Sequence, residues 1–396
     1  MTSRERIAKA IKHEETDRVP RDLGGTESSG MTAHSLHKLQ EHLHIRRNPK
    51  VFEPYQYVAY IEDELRERFK IDTENLTPGP KKWVTRKSPA GFEVSLPALW
   101  LEETDADGET VVRREDGTIS ARRPAGGLYF DPVNPPLQNI TTHKELTHHC
   151  ETIRSFDAAF FADEPVERMK ERAGIMHVKG ACVVFNLCCH ILAAGQLLRG
   201  YENFMIDLLS DEPMVRGLLD ILLEGYIARV NRLAPRLSPF VDIVLLNDDL
   251  GTQKGPMLAP QLYRRLIKPY QRMLFSQVKR AFDAPILFHS CGAVREFIPD
   301  LIETGVDALN PVQISAEGMG PAELKRDFGK EITFWGGGVD TQSILNRQNP
   351  VKVKDSIRKN RDIFGPGGGF VFCQVHNIQP DVPPENVIAM FEALDQ

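Results

Sequence analysis

Apolar residues first recur at helical spacing in the opening segment, where Ile7, Ala8, Ala10 and Ile11 mark one face of a helix over Ser3 to His13. Thr16 to Pro20 ends it, because the residue before a proline is pushed out of the helical region. Amphipathic stretches follow over Ala33 to Leu43 and over Val58 to Phe69. Between Lys81 and Phe130 the period changes. Short alternating runs begin at Trp83, Glu93 and Thr110, and are punctuated by Asp107-Gly108 and Asp116-Gly117. This is hairpin texture, so residues 70–135 are expected to form an antiparallel insert or cap.

From about residue 175 the rhythm becomes strand, loop, helix. Buried strands are expected at Val178–Phe185, Phe240–Leu246, Pro285–Phe288, Val306–Asn310, Glu331–Trp335 and Gly369–Phe372. Each is followed by a helical pattern, including a long one from Pro260 to Phe282 with a kink at Pro269. Such alternation implies a parallel sheet with both faces covered. No Gly-rich phosphate fingerprint follows the first strand, and the alternation does not stop. The expected fold is therefore an α/β, (β/α)8 TIM barrel rather than a doubly wound sheet. Its first one or two strands then fall in the less legible N-terminal half, near Arg18–Leu23. With no linker or repeat, residues 1–396 are expected to form a single domain carrying the insert.

Composition narrows the function. The charged residues, 26% of the chain, are interspersed and sum to −6, which argues against nucleic acid as a partner. Arginine pairs such as Arg46-Arg47 are expected on solvated faces. No apolar run approaches the roughly 20 residues of a membrane span, and the charged start Met1-Thr-Ser-Arg-Glu-Arg6 does not read as an export signal. A cytoplasmic enzyme is the expectation. Six cysteines are too few for a disulfide framework, so they are free thiols or metal ligands.

In a barrel, chemistry gathers where strands end. The expected strands end in Asp248-Asp249, His289-Ser290-Cys291, Asn310, Trp335-Gly336, and Cys373 with His376-Asn377. Residues i and i+2 of a strand share a side, so His289 and Cys291 can converge on one ion, with Cys373 reaching across the mouth as a third ligand. A His/Cys/Cys set suits zinc with one position open, although Cys291 and Cys373 as small buried residues is the plainer alternative. Asp248 and Asp249 divide between an acid/base and a helix cap. His376 is either a proton donor or a structural histidine. Asn310, Trp335, Gly336 and Asn377 are candidate substrate contacts. Cys188-Cys189-His190 follows a strand too, though a packed turn is expected there. Cys182 is expected in the core, and no role is assigned to Glu53, Tyr55 or Tyr57.

Several of these stretches resemble one family. Asp248-Asp-Leu-Gly-Thr-Gln-Lys-Gly-Pro-Met257, Phe288-His-Ser-Cys-Gly-Ala293, Asn310-Pro-Val-Gln313, Trp335-Gly-Gly-Gly-Val-Asp340, Gly365-Pro-Gly-Gly-Gly-Phe370 and Val375-His-Asn-Ile-Gln-Pro380 are similar to the uroporphyrinogen decarboxylase superfamily. So is the opening, Arg4-Glu-Arg6 with Asp17-Arg-Val-Pro20. The resemblance implies a (β/α)8 barrel and two classes of activity. Its decarboxylases act on tetrapyrrole acetates without a cofactor, using an Arg-rich N-terminal segment and an Asp. Arg18, Arg21 and Asp22 echo that pattern only loosely. Its corrinoid-dependent methyltransferases carry a His-x-Cys…Cys zinc triad, which His289, Cys291 and Cys373 match. The resemblance thus implies zinc-dependent methyl transfer between a small methoxylated aromatic or methylthiol and methylcobalamin or another corrinoid carried by a partner protein. Asp248, Asp249 or His376 would protonate the leaving group. The alternatives are a cofactor-free decarboxylase and a non-catalytic corrinoid or tetrapyrrole binding protein. A homodimer formed through the insert is a further expectation.

Overall fold

The computed structural model describes residues 1–88, 90–113, 116–156 and 166–395. Seven parallel strands pair in chain order: Thr73–Leu76, Cys182–Asn186, Ile243–Asn247, Ile286–His289, Ala308–Asn310, Thr333–Trp335 and Phe370–Val371. The segment around Arg21 joins the two ends of this sheet. Phe372 N donates to Pro20 O and Asp22 N to Phe372 O, both at 2.8 Å, while Asp72 N donates to Arg21 O at 2.9 Å. The result is an eight-membered parallel ring with strands in sequence order, the TIM-barrel arrangement.

Apolar runs such as Val183-Val184-Phe185 and Ile243-Val-Leu-Leu246 form strands here because both of their faces are buried. One face meets the surrounding helices. The other fills the barrel interior, where Cys182, Leu245, Leu287, Trp335, Val371 and Cys373 cluster. The helix Ser3–Ile11 starts from a Thr2–Glu5 capping box and closes the lower end, its Ile7 and Ala10 joining that cluster. Beside it, Asp72 is wholly buried and accepts from Arg6, Arg18 and the backbone N–H of Arg21.

Two sequence expectations give way. Thr73–Leu76, counted with the insert, is the second barrel strand and pairs in parallel with Cys182–Asn186. Its Thr-Glu-Asn-Leu alternation looks like a hairpin arm because Thr73 spends its hydroxyl on the buried Asp22 rather than on solvent. Val178 ends the helix Val166–Val178 instead of starting a strand. Gly180, at φ 78°, turns the chain before Cys182. Val58–Ala59 is likewise a short strand, and the helix begins only at Asp63. The expected kink is present as a break between the helices Pro260–Leu266 and Lys268–Phe282.

The insert consists of the hairpin Trp83–Lys87 with Glu93–Pro97, and a four-stranded antiparallel sheet of Leu101–Thr104, Thr110–Arg113, Ile119–Arg123 and Asp131–Pro132. A third small sheet, Met31–Thr32, Val51–Glu53 and Val58–Ala59, links the insert to the barrel. Among the described residues no helix is long and apolar enough to cross a membrane.

Candidate metal centre and adjoining pocket

His289 is the last residue of its strand, so its ring emerges at the C-terminal rim of the barrel. Its Nδ1 lies 2.7 Å from Asn310 Oδ1 and 3.0 Å from Ser28 Oγ. Asn310 is oriented in turn, because its Nδ2 donates to Trp335 O at 2.9 Å. The amide oxygen therefore faces the imidazole and holds the proton on Nδ1. The Nε2 lone pair is left pointing at Cys291 Sγ, 3.5 Å away. A ring nitrogen anchored by one partner and free on the other side is the usual disposition of a metal-ligating histidine.

His376 supplies the third donor. Its backbone sits in the left-handed region at φ 64°, and its ring centroid lies 5.9 Å from that of His289. Donor atoms of His289, Cys291 and His376 all lie within 4.8 Å of one another. Around one zinc, ligand atoms would stand about 3.3–3.8 Å apart, given bonds of about 2.0–2.3 Å. A small rotation of side chains spans the difference. Burial, followed by neighbouring His289, lowers the His376 imidazole to about 4, so it is neutral and able to ligate. Burial, then the carboxylate of Asp249, pushes the Cys291 thiol up. Asp249 itself is exposed at the rim, with Oδ1 accepting from Cys291 N at 2.8 Å and standing 3.8 Å from His289 Nε2.

The structure places several of the sequence-derived candidates away from this donor group. Cys373, the expected third ligand, is outside this group. It is fully buried in the barrel interior with Trp335 and Val371, near Asp22. Asp248 is not offered to a substrate either. Its Oδ2 accepts from Ile191 N and Gln271 Nε2, and its Oδ1 from Ala193 N, each at 2.9 Å. It ties the start of the helix Leu192–Arg199 to the neighbouring strand. Asn310 positions His289 rather than touching substrate. Trp335 is buried inside the barrel with Nε1 donating to Asp22 Oδ2. Gly336 is demanded by packing, since a Cβ there would stand 2.0 Å from Pro311 O. Asn377 ties loops, accepting from Gly30 N and donating to Glu27 O and Gln56 Oε1.

Beside the cluster, between barrel mouth and insert, is a cavity of about 440 Å³. Glu27, the neighbour of Ser28, and Gln56, bonded to Asn377, connect the two. Its walls include Phe52, Tyr55, Phe156, Leu197 and a set of prolines. Cys188 and His190 line it too, so the Cys188-Cys189-His190 turn both packs and faces the cavity. His190 is held neutral, burial taking it to about 4, and its Nδ1 lies 3.1 Å from Asn247 O. Sequence reasoning missed Glu27, Glu53 and Tyr55. The one signal available was an acid, Glu53, set directly after the apolar pair Val51-Phe52.

Comparison with known proteins places this architecture. The family model described as Uroporphyrinogen decarboxylase (URO-D) matches residues 164–396. A uroporphyrinogen decarboxylase of Legionella pneumophila (strain Lens) is 26% identical over 214 residues, 54% of this chain and 56% of that protein. One of Coxiella burnetii (strain Dugway 5J108-111) is 24% identical over 213 residues, 53% of this chain and 55% of that protein. The chain thus spans about half the length of these curated relatives. A solved methyltransferase from Methanosarcina mazei superposes with a TM-score of 0.55 at 15% identity, covering 100% of this chain and 98% of that one, a likeness of fold.

Proposed function

The chain belongs to the uroporphyrinogen decarboxylase family, and we propose that within it this protein is a zinc-dependent methyltransferase. It would move a methyl group between a small methylated substrate and the corrinoid of a partner protein. The observation that carries this reading is the His289/Cys291/His376 donor group, set at the barrel rim beside a largely apolar pocket.

The donor set fits zinc. Two imidazoles and a thiol are borderline-soft ligands, three in number, leaving a fourth position for substrate. His289 already has the supporting hydrogen bond such a ligand needs, from Asn310. The bound ion would supply Lewis acidity to the oxygen or sulfur that carries the methyl group. The chain's own residues do the rest. Asn310 and Ser28 fix the His289 ring, and Asp249 holds the Cys291 backbone through its N–H. Phe52, Tyr55, Phe156 and Leu197 give the adjoining pocket apolar walls that would favour an apolar reacting group. Breaking the methyl–heteroatom bond leaves an anion that takes up a proton, and Asp249 is the rim carboxylate able to relay it.

The decarboxylase reading has less support from the geometry. Arg18 donates to Asp72 and to the carbonyls of Val19 and Lys70. Arg21, 1% exposed, is held by Phe69 O and Asp395. Neither guanidinium is presented to a substrate carboxylate at the mouth.

Metal content of the purified protein, beside His376→Ala and Cys373→Ala variants, tests the proposal. About one zinc per chain is expected in the wild type and in Cys373→Ala, with loss in His376→Ala at unchanged circular dichroism. Methylation of free cob(I)alamin by methoxyaryl and methylthiol donors should follow the zinc. A wild type that binds no zinc would sink the reading.

A further inference from the structure

The pocket beside the donor group has a one-sided charge. Glu27 and Glu53 both line it, and no Lys or Arg does so among the described residues. Arg172 and Arg229 approach the wall from behind, where they donate to the carbonyls of Thr77, Phe156 and Cys188. The Glu27 carboxylate accepts from Asn186 and Asn247, whose own strands hold it at the barrel rim. Glu53 is braced differently, its two oxygens accepting from Tyr55 N at 3.0 Å and Gln56 N at 2.9 Å. Burial raises the Glu53 carboxyl to about 7, so near neutrality it can either donate or accept a hydrogen bond. Phe52, Phe156 and proline rings give the lining apolar faces, interspersed with polar side chains such as Gln56, Ser120 and Asn134.

These features discriminate among methyl donors by charge. A pocket of this size suits a small molecule with one aromatic ring, and planar apolar walls favour such a ring. A carboxylate, sulfonate or phosphate on it would be desolvated beside two acids, with no Lys or Arg among the described lining residues. A hydroxyl has suitable partners in both.

Resting on the methyltransferase reading, we infer that the methyl donor is an uncharged, hydroxylated aryl methyl ether whose hydroxyl is bonded by Glu53, and that donors bearing an anionic group are rejected. The same charge pattern argues against a carboxylated tetrapyrrole as the occupant of this cavity.

The test separates binding from turnover. Titration calorimetry on the zinc-loaded protein at pH 8 would compare 2-methoxyphenol with 4-hydroxy-3-methoxybenzoate, which differ in the carboxylate. Methoxyphenol is expected to bind about a hundredfold more tightly, the like-charge pairs with Glu27 and Glu53 contributing about tenfold each after solvent screening. Glu53→Gln should narrow that preference to about tenfold, leaving the contribution of Glu27. Equal or tighter binding of the benzoate, no binding of the phenol, or a Glu53→Gln preference unchanged from wild type would each overturn the inference. Methylation of free cob(I)alamin is read in parallel. Selective binding of the phenol without any methyl transfer would uphold the pocket's selectivity and reject the methyltransferase reading. Transfer from both donors at equal kcat/KM would do the reverse.

Discussion

Asp248 offers the sharpest test of position over residue type, because the sequence leaves it between an acid/base and a helix cap, and in the structure its carboxylate accepts from three donors. Replacing it with alanine orphans three buried donors: the N–H groups of Ile191 and Ala193 and the amide of Gln271. Gln271 cannot rotate to compensate, since its oxygen already accepts from Tyr263. Each unsatisfied buried donor costs roughly 1–3 kcal/mol. Relief of the carboxyl's own burial, which raises it to about 6, offsets part of that sum. A net loss of about 3–5 kcal/mol is expected, comparable to breaking a buried charged pair. Asp248→Asn keeps one acceptor oxygen and turns an NH2 toward a donor, so about 1–3 kcal/mol is expected. Equilibrium urea unfolding followed by tryptophan fluorescence reads both, the alanine variant falling by about 1 M in midpoint at unchanged slope. An alanine variant within about 0.5 kcal/mol of wild type would refute the clamp. So would unchanged stability combined with abolished methyl transfer, which would return Asp248 to the catalytic role.

Two further outcomes follow from the same contacts. Asn310→Ala removes the partner of His289 Nδ1, and zinc affinity in competition with a chelator should fall about 10–100-fold; an unchanged affinity would mean that Ser28 alone orients the ring. Glu53, raised to about 7 from an ordinary value near 4.5, favours folding while protonated, so its contribution is present below pH 4.5 and is lost as pH rises through 7. Glu53→Gln should therefore flatten the decline in unfolding free energy between pH 4.5 and 8, by roughly 3 kcal/mol at most. A variant whose pH profile superposes on wild type would show that Glu53 does not titrate in this window.

The barrel was legible where strands are apolar on both faces, as in Val183-Val-Phe185 and Ile243-Val-Leu-Leu246. It was illegible where a barrel strand carries polar groups that find buried partners. Thr73 and Asn75 lie in its second strand yet read as hairpin residues, whereas Arg21 and Asp22, which close the ring, fall where a first strand was expected. Their burial depends on Asp72, Trp335 and Asp395, which are distant in sequence. The site divided in the same way. His289-x-Cys291 was readable because a strand end points residues i and i+2 to one side. Glu53 and Tyr55 were not, because a short strand near the N-terminus gives no hint that it roofs the barrel mouth.

The proposal of His376 rather than Cys373 as third donor rests on backbone path, and it yields a prediction independent of ligand chemistry. Strand pairing persists past Val371: Gly338 N donates to Cys373 O, and Val375 N to Val339 O. Over that stretch Cys373 still faces the barrel axis, beside Trp335. At His376 the chain enters the left-handed region and turns its side chain into the mouth. If position decides, a thiol at 376 should serve as well as an imidazole, because both are ordinary zinc ligands. His376→Cys is therefore expected to retain about one zinc per chain. The double variant Cys373→His/His376→Ala should bind none, since an imidazole at 373 is held in the packed interior, where overpacking also costs about 1–3 kcal/mol. Zinc stoichiometry and urea midpoints measured together distinguish the cases. Full zinc in the double variant would show that residue 373 can reach the mouth, and would overturn the assignment of the third donor to His376.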